Sequence, residues 1–254
     1  MSAPRTDPRT AALALGDDAL VLSHRLAEWT GHAPALEEEV ALANIALDLL
    51  GQARVLLTIA GGGERTEDEL AYLREEREFT NVQLVEQPNG DFAHTIARQL
   101  YFSVWQELLY ERLAADSGAP DGLGALAAKA VKETAYHRDH AEHWTLRLGD
   151  GTELSRARMR RALDALWRYT GELFQPVPGL TADLAGPVDR EELRAEWTRR
   201  VTAVLERAGL APPEGPQGLA WAAGAGRQGV HTEPFGRMLA EMQHLHRSHL
   251  GASW

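Results

Sequence analysis

Apolar residues recur along most of this sequence at the three- and four-residue spacing of one helix face. No stretch shows sustained alternation of apolar and polar residues bounded by turn residues, which is the pattern of a half-buried strand. The sequence therefore predicts an all-α protein. Its 254 residues are enough to bury a core without disulfides. Because no linker separates a second hydrophobic core, a single domain over residues 1–254 is expected.

The apolar spacing and the turn residues predict four long helices and three further ones. Asp17 is a suitable N-cap for the first helix, which leaves residues 1–16 as a flexible tail. The second helix is apolar around most of its circumference, so we expect it to be buried between neighbours. Four long helices with short connections indicate a bundle with additional C-terminal helices. The predicted helices span residues 17–31, 35–60, 91–115, 120–148, 153–174, 189–208 and 233–249, with a short charged helix over 66–78 and loops over 175–188 and 211–230.

Composition excludes several classes of function. The chain has no cysteine, so disulfides, thiolate nucleophiles and cysteine-held iron–sulfur clusters are excluded. Its 26 basic and 37 acidic side chains give a net charge of −11, which argues against a nucleic-acid or anionic-membrane partner. The N-terminus lacks the apolar region of a signal peptide, and no uninterrupted apolar run reaches about 18 residues. We therefore expect a cytoplasmic protein.

A helical bundle without cysteine raises the question of a di-iron centre, for which the known arrangement includes a Glu-x-x-His pair on each of two helices. Two acid-x-x-His matches occur, Asp91 with His94 and Glu241 with His244. The first lies at the start of a long helix and the second near the C-terminus, beyond the four predicted core helices. Neither position fits the known arrangement.

Polar residues also interrupt the second predicted helix. Asn44, Asp48 and Gln52 form a row at four-residue spacing, and burial would require a partner for each. The row is otherwise the solvent-facing side of the helix. The residue three after Asp48 is Gly51, which offers no ligand to complete an acid-x-x-His pair.

Histidines provide a second metal hypothesis. His137, His140 and His143 recur at three-residue spacing on one helix, which is compatible with zinc or with an exposed helix face. His244, His246 and His249 leave the same choice. The chain has no phosphate-binding glycine loop and no Gly-x-Ser-x-Gly motif. One basic cluster could contact phosphates or an acidic partner, or form a solvated face: Arg156, Arg158, Arg160 and Arg161.

Four longer stretches resemble the C subunits, which are the structural subunits, of the bacterial phenylacetyl-CoA epoxidases, with the same order and spacing over roughly residues 17–250. The stretches are HAPALEEEVALANIALDLLGQAR (32–54), LVEQPNGDFAHTIARQ (84–99), KETAYH (132–137) and HTEPFGRMLAEMQ (231–243). The resemblance implies a ferritin-like four-helix bundle. It also implies a role in a multicomponent oxygenase, in which the catalytic A subunit holds the di-iron centre and CoA thioester and a reductase supplies electrons from NADPH.

The resemblance places two degenerate metal slots in this chain. One Glu-x-x-His pair of the catalytic relative falls at Asp48 and Gly51, where the imidazole is missing. The other falls at Thr134 and His137, where the carboxylate is missing. The single carboxylates of the other two core helices are unassigned, with Glu28 and Glu107 as candidates. We therefore expect no catalytic, cofactor-binding or metal-ligating residue here, and we expect Asp48 and His137 to bond each other or Asn44 and Gln52.

These expectations favour a non-catalytic structural subunit of a phenylacetyl-CoA ring-epoxidising monooxygenase. Its partner would be the catalytic A subunit, which would carry the di-iron cofactor, and the chain alone could form a homodimer. Two alternatives remain at this point: a di-iron oxidoreductase in its own right, and a zinc enzyme built on the three histidines. No nucleic-acid or membrane partner is expected.

Overall fold

The structure is a computed structural model that describes residues 8–115, 122–175, 190–215 and 225–252. Within these ranges it contains eight α-helices, short 3-10 turns and no strand. The α-helices are α1 (Pro8–Ala27), α2 (Leu36–Gly61), α3 (Glu67–Tyr72), α4 (Phe92–Ala115), α5 (Leu123–Gly149), α6 (Glu153–Trp167), α7 (Arg190–Arg207) and α8 (Glu233–Ser248).

Two long helix pairs form the bundle. α1 lies along α2, α4 lies along α5, and α2 meets α5 where the two pairs join. α6 and α7 pack against α4, and α8 packs against α3. One continuous core of buried apolar side chains runs through these elements. The prediction of an all-α bundle with extra C-terminal helices is confirmed.

The first helix begins nine residues earlier than predicted. Residues 8–16, expected to be part of a flexible tail, are helical, and Ala11, Ala12 and Leu15 are buried. A Cβ added at Gly16 would lie 3.0 Å from the Leu57 side chain, so the glycine lets α1 approach α2 closely. Asp17 is not an N-cap. It is buried in mid-helix, where Nη1 of Arg74 donates to its Oδ2 at 3.0 Å.

The sixth helix ends earlier than predicted. α6 stops at Trp167, and a 3-10 turn over Thr170–Phe174 replaces its predicted last turns. The turn carries Glu172 into the interior, where its carboxylate accepts hydrogen bonds from the backbone N–H groups of Gln83 at 2.7 Å and Arg227 at 3.2 Å. Among the predicted loops, residues 211–215 and 225–230 are described and the latter include a 3-10 turn at Gly226–Gln228. Residues 176–188 and 216–224 lie outside the described residues.

Only one face of α2 is buried, which contradicts the expectation that neighbours surround it. Leu42, Ile45 and Leu49 are buried, whereas Leu36 is 73% exposed and Leu47 is 64% exposed. Among the described helices, α2 is the one that is long and apolar enough to cross a membrane. Length and composition alone carry little weight here, and α2 packs along α1 through its buried face.

Candidate functional site

The centre of the candidate site is a contact between α2 and α5. Nε2 of His137 lies 3.1 Å from Oδ2 of Asp48. The His137 side chain is only 1% exposed, and the Asp48 side chain is 37% exposed. Asp48 and His137, one residue from each degenerate metal slot, therefore bond each other across the interface between α2 and α5. A buried imidazole obtains its hydrogen-bond partner from the neighbouring helix in this way.

A chain of hydrogen bonds lies one turn along the same interface. Gln52 donates through Nε2 to Oε2 of Glu133 at 2.9 Å, and its Oε1 accepts from Nε2 of Gln106 at 3.0 Å. The Gln106 Nε2 also lies 3.5 Å from the Tyr110 hydroxyl. Burial raises the pKa of the Tyr110 phenol far enough to keep it protonated. The chain therefore links α2, α4 and α5 through neutral amides and one partly exposed carboxylate.

The other two slot residues do not reach this polar group. The Thr134 hydroxyl is buried and donates back to its own helix, to the carbonyls of Ala130 and Val131 at 3.1 Å. Gly51 is exposed, and a Cβ added there would meet nothing within 4 Å. A side chain at position 51 would therefore point into open space, where Gly51 lines a groove between α2 and α3.

The two unassigned carboxylates also lie elsewhere. Glu28 accepts from Nη1 of Arg25 at 2.7 Å, just beyond the end of α1. Glu107 is buried on α4, where its Oε2 accepts from Nη1 of Arg138 at 2.9 Å and of Arg200 at 3.1 Å. Burial raises the pKa of Glu107, although the two guanidinium groups oppose the shift. This carboxylate ties α4 to α5 and α7.

The polar group does not match the ligand set of a di-iron centre. That centre takes four carboxylates and two imidazoles projecting inward from four helices. Here Gln52 and Gln106 offer amides in place of carboxylates, and one hydrogen bond from Nε2 of Gln106 to Oε1 of Gln52 joins them. The buried Oε1 of Gln106 has no hydrogen-bond partner among the described residues. Among the residues that the structure describes, no group of three or more His, Asp or Glu is arranged to hold a metal ion.

The histidines of the zinc hypothesis are dispersed. His137 bonds Asp48, whereas Nε2 of His140 lies 2.9 Å from Oε2 of Glu38 and His143 is exposed. Their three-residue spacing does not place the three rings around one point. At the C-terminus, His244 is exposed and His246 stacks on Tyr72 with ring centroids 4.9 Å apart.

The remaining short motifs have local structural roles. The Asp91 carboxylate accepts from the His94 backbone N–H at 3.0 Å and so caps the start of α4. Glu241 and His244 are both exposed on α8. The four arginines of the basic cluster are also exposed. Two of them have local partners, since Arg156 donates to the Gly149 carbonyl at 2.7 Å and Arg158 lies 3.7 Å from Asp91.

A second buried polar group was missed from the sequence. It joins two of the four stretches that carry the resemblance, because Nδ1 of His231 lies 2.9 Å from Oε2 of Glu86 and its Nε2 lies 3.0 Å from the Phe79 carbonyl. Both side chains of the pair are fully buried. Burial lowers the pKa of His231, but the hydrogen bond and charge of Glu86 outweigh this effect and the pKa is raised. The raised pKa favours the imidazolium, which is the form that can donate from both ring nitrogens.

The same region contains a buried ion pair from α1. Nη2 of Arg227 donates to Oδ2 of Asp18 at 2.6 Å, and Nη1 donates to the Ala14 carbonyl at 2.9 Å. With His231 and Glu86, this pair fastens residues 225–232 to α1 and to the segment before α4. Glu86 and His231 lie within two of the four stretches that carry the resemblance, whereas Asp18 and Arg227 lie outside all four. The residues of the two pairs are separated by 145 and 209 positions, respectively. Nothing in one sequence indicates which of them meet.

The bundle of long helices, with a polar group between its central helices, is a ferritin-like architecture. The chain matches the family described as phenylacetic acid catabolic protein over residues 2–254, and it belongs to that family. It is 48% identical over 246 residues to the Escherichia coli (strain K12) protein named as the C subunit of 1,2-phenylacetyl-CoA epoxidase. The match covers 95% of this chain and 97% of that relative. The resemblance inferred from the four stretches is confirmed.

Proposed function

We propose that this chain is a structural subunit of a phenylacetyl-CoA epoxidase in the aerobic degradation of phenylacetate. It pairs in the cytoplasm with the catalytic A subunit, which carries the di-iron centre, and it has no catalytic centre of its own. The relationship to a protein named as the C subunit of an epoxidase supports membership of a multi-subunit enzyme. The observation that supports the non-catalytic role is the hydrogen bond between Gln106 and Gln52 at 3.0 Å. It places two amides between the central helices, where a di-iron centre has carboxylates.

The charge of the chain agrees with this division of labour. CoA is a polyanion, and a chain with a net charge of −11 is a poor main binding site for it. The thioester therefore belongs on the catalytic partner. The one local exception is the exposed basic cluster on α6, which could contact CoA or an acidic surface of the partner: Arg156, Arg158, Arg160 and Arg161.

The test is co-expression with the catalytic partner, followed by measurement of phenylacetyl-CoA turnover with the reductase. We expect the chains to co-elute at micromolar concentration and the Asp48→Asn/His137→Gln variant to retain turnover within about twofold of the wild type. Those substitutions replace the two side chains by amides, which can still hydrogen-bond but cannot transfer a proton as a carboxylate or imidazole can. A catalytic centre here would instead lose about 100-fold or more. Failure to co-elute would contradict the partnership, and loss of turnover in an intact complex would contradict the non-catalytic role.

A further inference from the structure

The outward face of α2 carries a stripe of residues that the fold leaves uncovered. Leu36 is 73% exposed, Val40 53%, Leu47 64% and Leu50 40%. They follow one another at intervals of four, seven and three residues, and Ala43 fills the gap between Val40 and Leu47. Contiguous exposed apolar patches on soluble proteins mark interaction sites more often than isolated exposed residues do.

The spacing of this stripe is that of a coiled-coil seam. Steps of four, three, four, three and four residues run through six positions on one face of α2. Alternating three- and four-residue steps keep a seam directed at a partner helix over several turns. A second α-helix therefore fits the stripe better than a strand or an extended peptide. We name the six positions the α2 seam: Leu36, Val40, Ala43, Leu47, Leu50 and Arg54.

The order of residue sizes along the seam selects the direction of that second helix. If an identical helix runs antiparallel with Ala43 opposite Leu47, then Val40 lies opposite Leu50 and Leu36 lies opposite Arg54. In this pairing Ala43 faces the larger Leu47, Val40 faces the larger Leu50, and Leu36 faces the longer Arg54. Small side chains opposite large ones allow the two helices to interdigitate. A parallel pairing would instead set Ala43 against Ala43 and bring two Arg54 guanidinium groups together.

The charges beside the seam agree with the antiparallel direction. The first turn of α2 carries Glu37 and Glu39 beside Leu36, and Arg54 lies at the other end of the seam. In the antiparallel pairing, each arginine reaches the acidic turn of the second copy. Within its own chain Arg54 lies 3.3 Å from Glu67, with its side chain 75% exposed. The Glu67 side chain is 29% exposed, so solvent reaches both groups, and Arg54 can exchange partners from so weak a pair.

A groove lies beside the seam. It has a volume of about 460 Å³ between α2 and α3, and its lining includes Leu47, Leu50 and Arg54 from the seam. Tyr72 and Asp68 of α3 line its other side. Side chains that flank the seam of the incoming helix can enter this groove.

We propose that the α2 seam binds the α2 seam of a second copy of this chain, antiparallel and about a two-fold axis. Such an interface is isologous, so each copy contributes the same surface and the assembly closes at two chains. The dimer concerns the isolated chain and does not depend on the pairing with the catalytic partner. The two proposals therefore fail in different experiments.

The first experiment measures the molar mass of the isolated chain by sedimentation. We expect a dimer at about 10 μM, and we expect Leu47→Glu to be a monomer because it places a charge in the centre of the seam. Leu154→Glu is the matched control, because Leu154 is 58% exposed on α6, away from the seam. The control should remain dimeric, and circular dichroism should show equal helix content in all three proteins. A wild-type monomer at about 100 μM, or a Leu47→Glu dimer, would overturn the proposal.

The second experiment tests the direction of the helices by disulfide cross-linking. The chain has no cysteine, so Val40→Cys and Leu50→Cys each introduce a single thiol. Mixed under oxidising conditions, the two variants should cross-link to each other. Either variant alone should not, because identical positions would be separated by about 15 Å along the helix. Cross-linking of Val40→Cys to itself would indicate a parallel pair, and a mixture that fails to cross-link would also contradict the proposal.

Discussion

At the scale of single residues, His231 illustrates how a buried charge depends on its surroundings. Both ring nitrogens face acceptors, the Glu86 carboxylate at 2.9 Å and the Phe79 carbonyl at 3.0 Å. The imidazolium satisfies both of them, whereas a neutral ring has only one N–H to donate. The raised pKa follows from this geometry, and it links the protonation of His231 to the stability of the fold.

A first prediction concerns His231→Gln. The pKa of His231 is higher in the folded protein than in the unfolded chain, where it is about 6.5. The contribution of His231 to the free energy of unfolding is therefore fully present below about pH 6.5. It is lost as the pH rises through the pKa of the folded protein. Breaking this buried pair should lower the free energy of unfolding by about 3–5 kcal/mol near pH 6. The loss should be smaller near pH 9.

Urea unfolding of both proteins at the two pH values measures this difference. His244→Gln, at an exposed position on α8, serves as the control and should change stability little at either pH. An equal loss for His231→Gln at both pH values would show that its charge does not contribute.

The polar group around Asp48 and His137 could be predicted only in part from the sequence. Asp48 and His137 were expected to bond each other or nearby amides, and they bond each other. Gln106 and Glu133 were not included in that group, since they lie on two other helices and their rotation relative to α2 cannot be obtained from helical spacing alone. A resemblance can transfer positions in the sequence, but the direction of each side chain depends on packing.

At the scale of elements, the predicted helix bounds agree with the structure where capping and turn residues mark the helix ends clearly. Thr66 and Glu69 form the predicted capping box. The ends of α2, α4 and α8 lie within one residue of prediction, because their apolar spacing stops at turn residues. The start of α1 and the ends of α1, α3 and α6 were wrong, and contacts distant in sequence accompany the differences in α1 and α6. Buried Asp17 depends on Arg74, and buried Glu172 depends on Gln83 and Arg227.

The corrected start of α1 leads to a second prediction. Leu15 is 3% exposed and packs in the core, so Leu15→Ala should lower the free energy of unfolding by about 2–5 kcal/mol. Leu13→Ala is the matched control at a partly buried position on the same helix and should cost less. Chemical denaturation of the two variants makes the comparison. A Leu15→Ala variant as stable as the wild type would contradict the packing of residues 8–16 against α2.

At the scale of the whole molecule, the chain combines a ferritin-like fold with hydrogen bonds between side chains of its own central helices. Amides occupy positions that face the interior of the bundle, and the two slot residues that remain bond each other. The net charge of −11 disfavours the chain as a main binding site for CoA. These features are the basis of the proposed non-catalytic role in a complex.

The most direct measurement is iron content after anaerobic reconstitution with Fe(II), for this chain alone, for the catalytic partner alone and for the complex. If this chain has no di-iron centre, we expect iron only in samples that contain the catalytic partner, at about two ions per copy of that partner. This chain alone should contain only background iron. The same samples report zinc, which should also stay at background. About two irons per copy of this chain alone would contradict the proposed non-catalytic role.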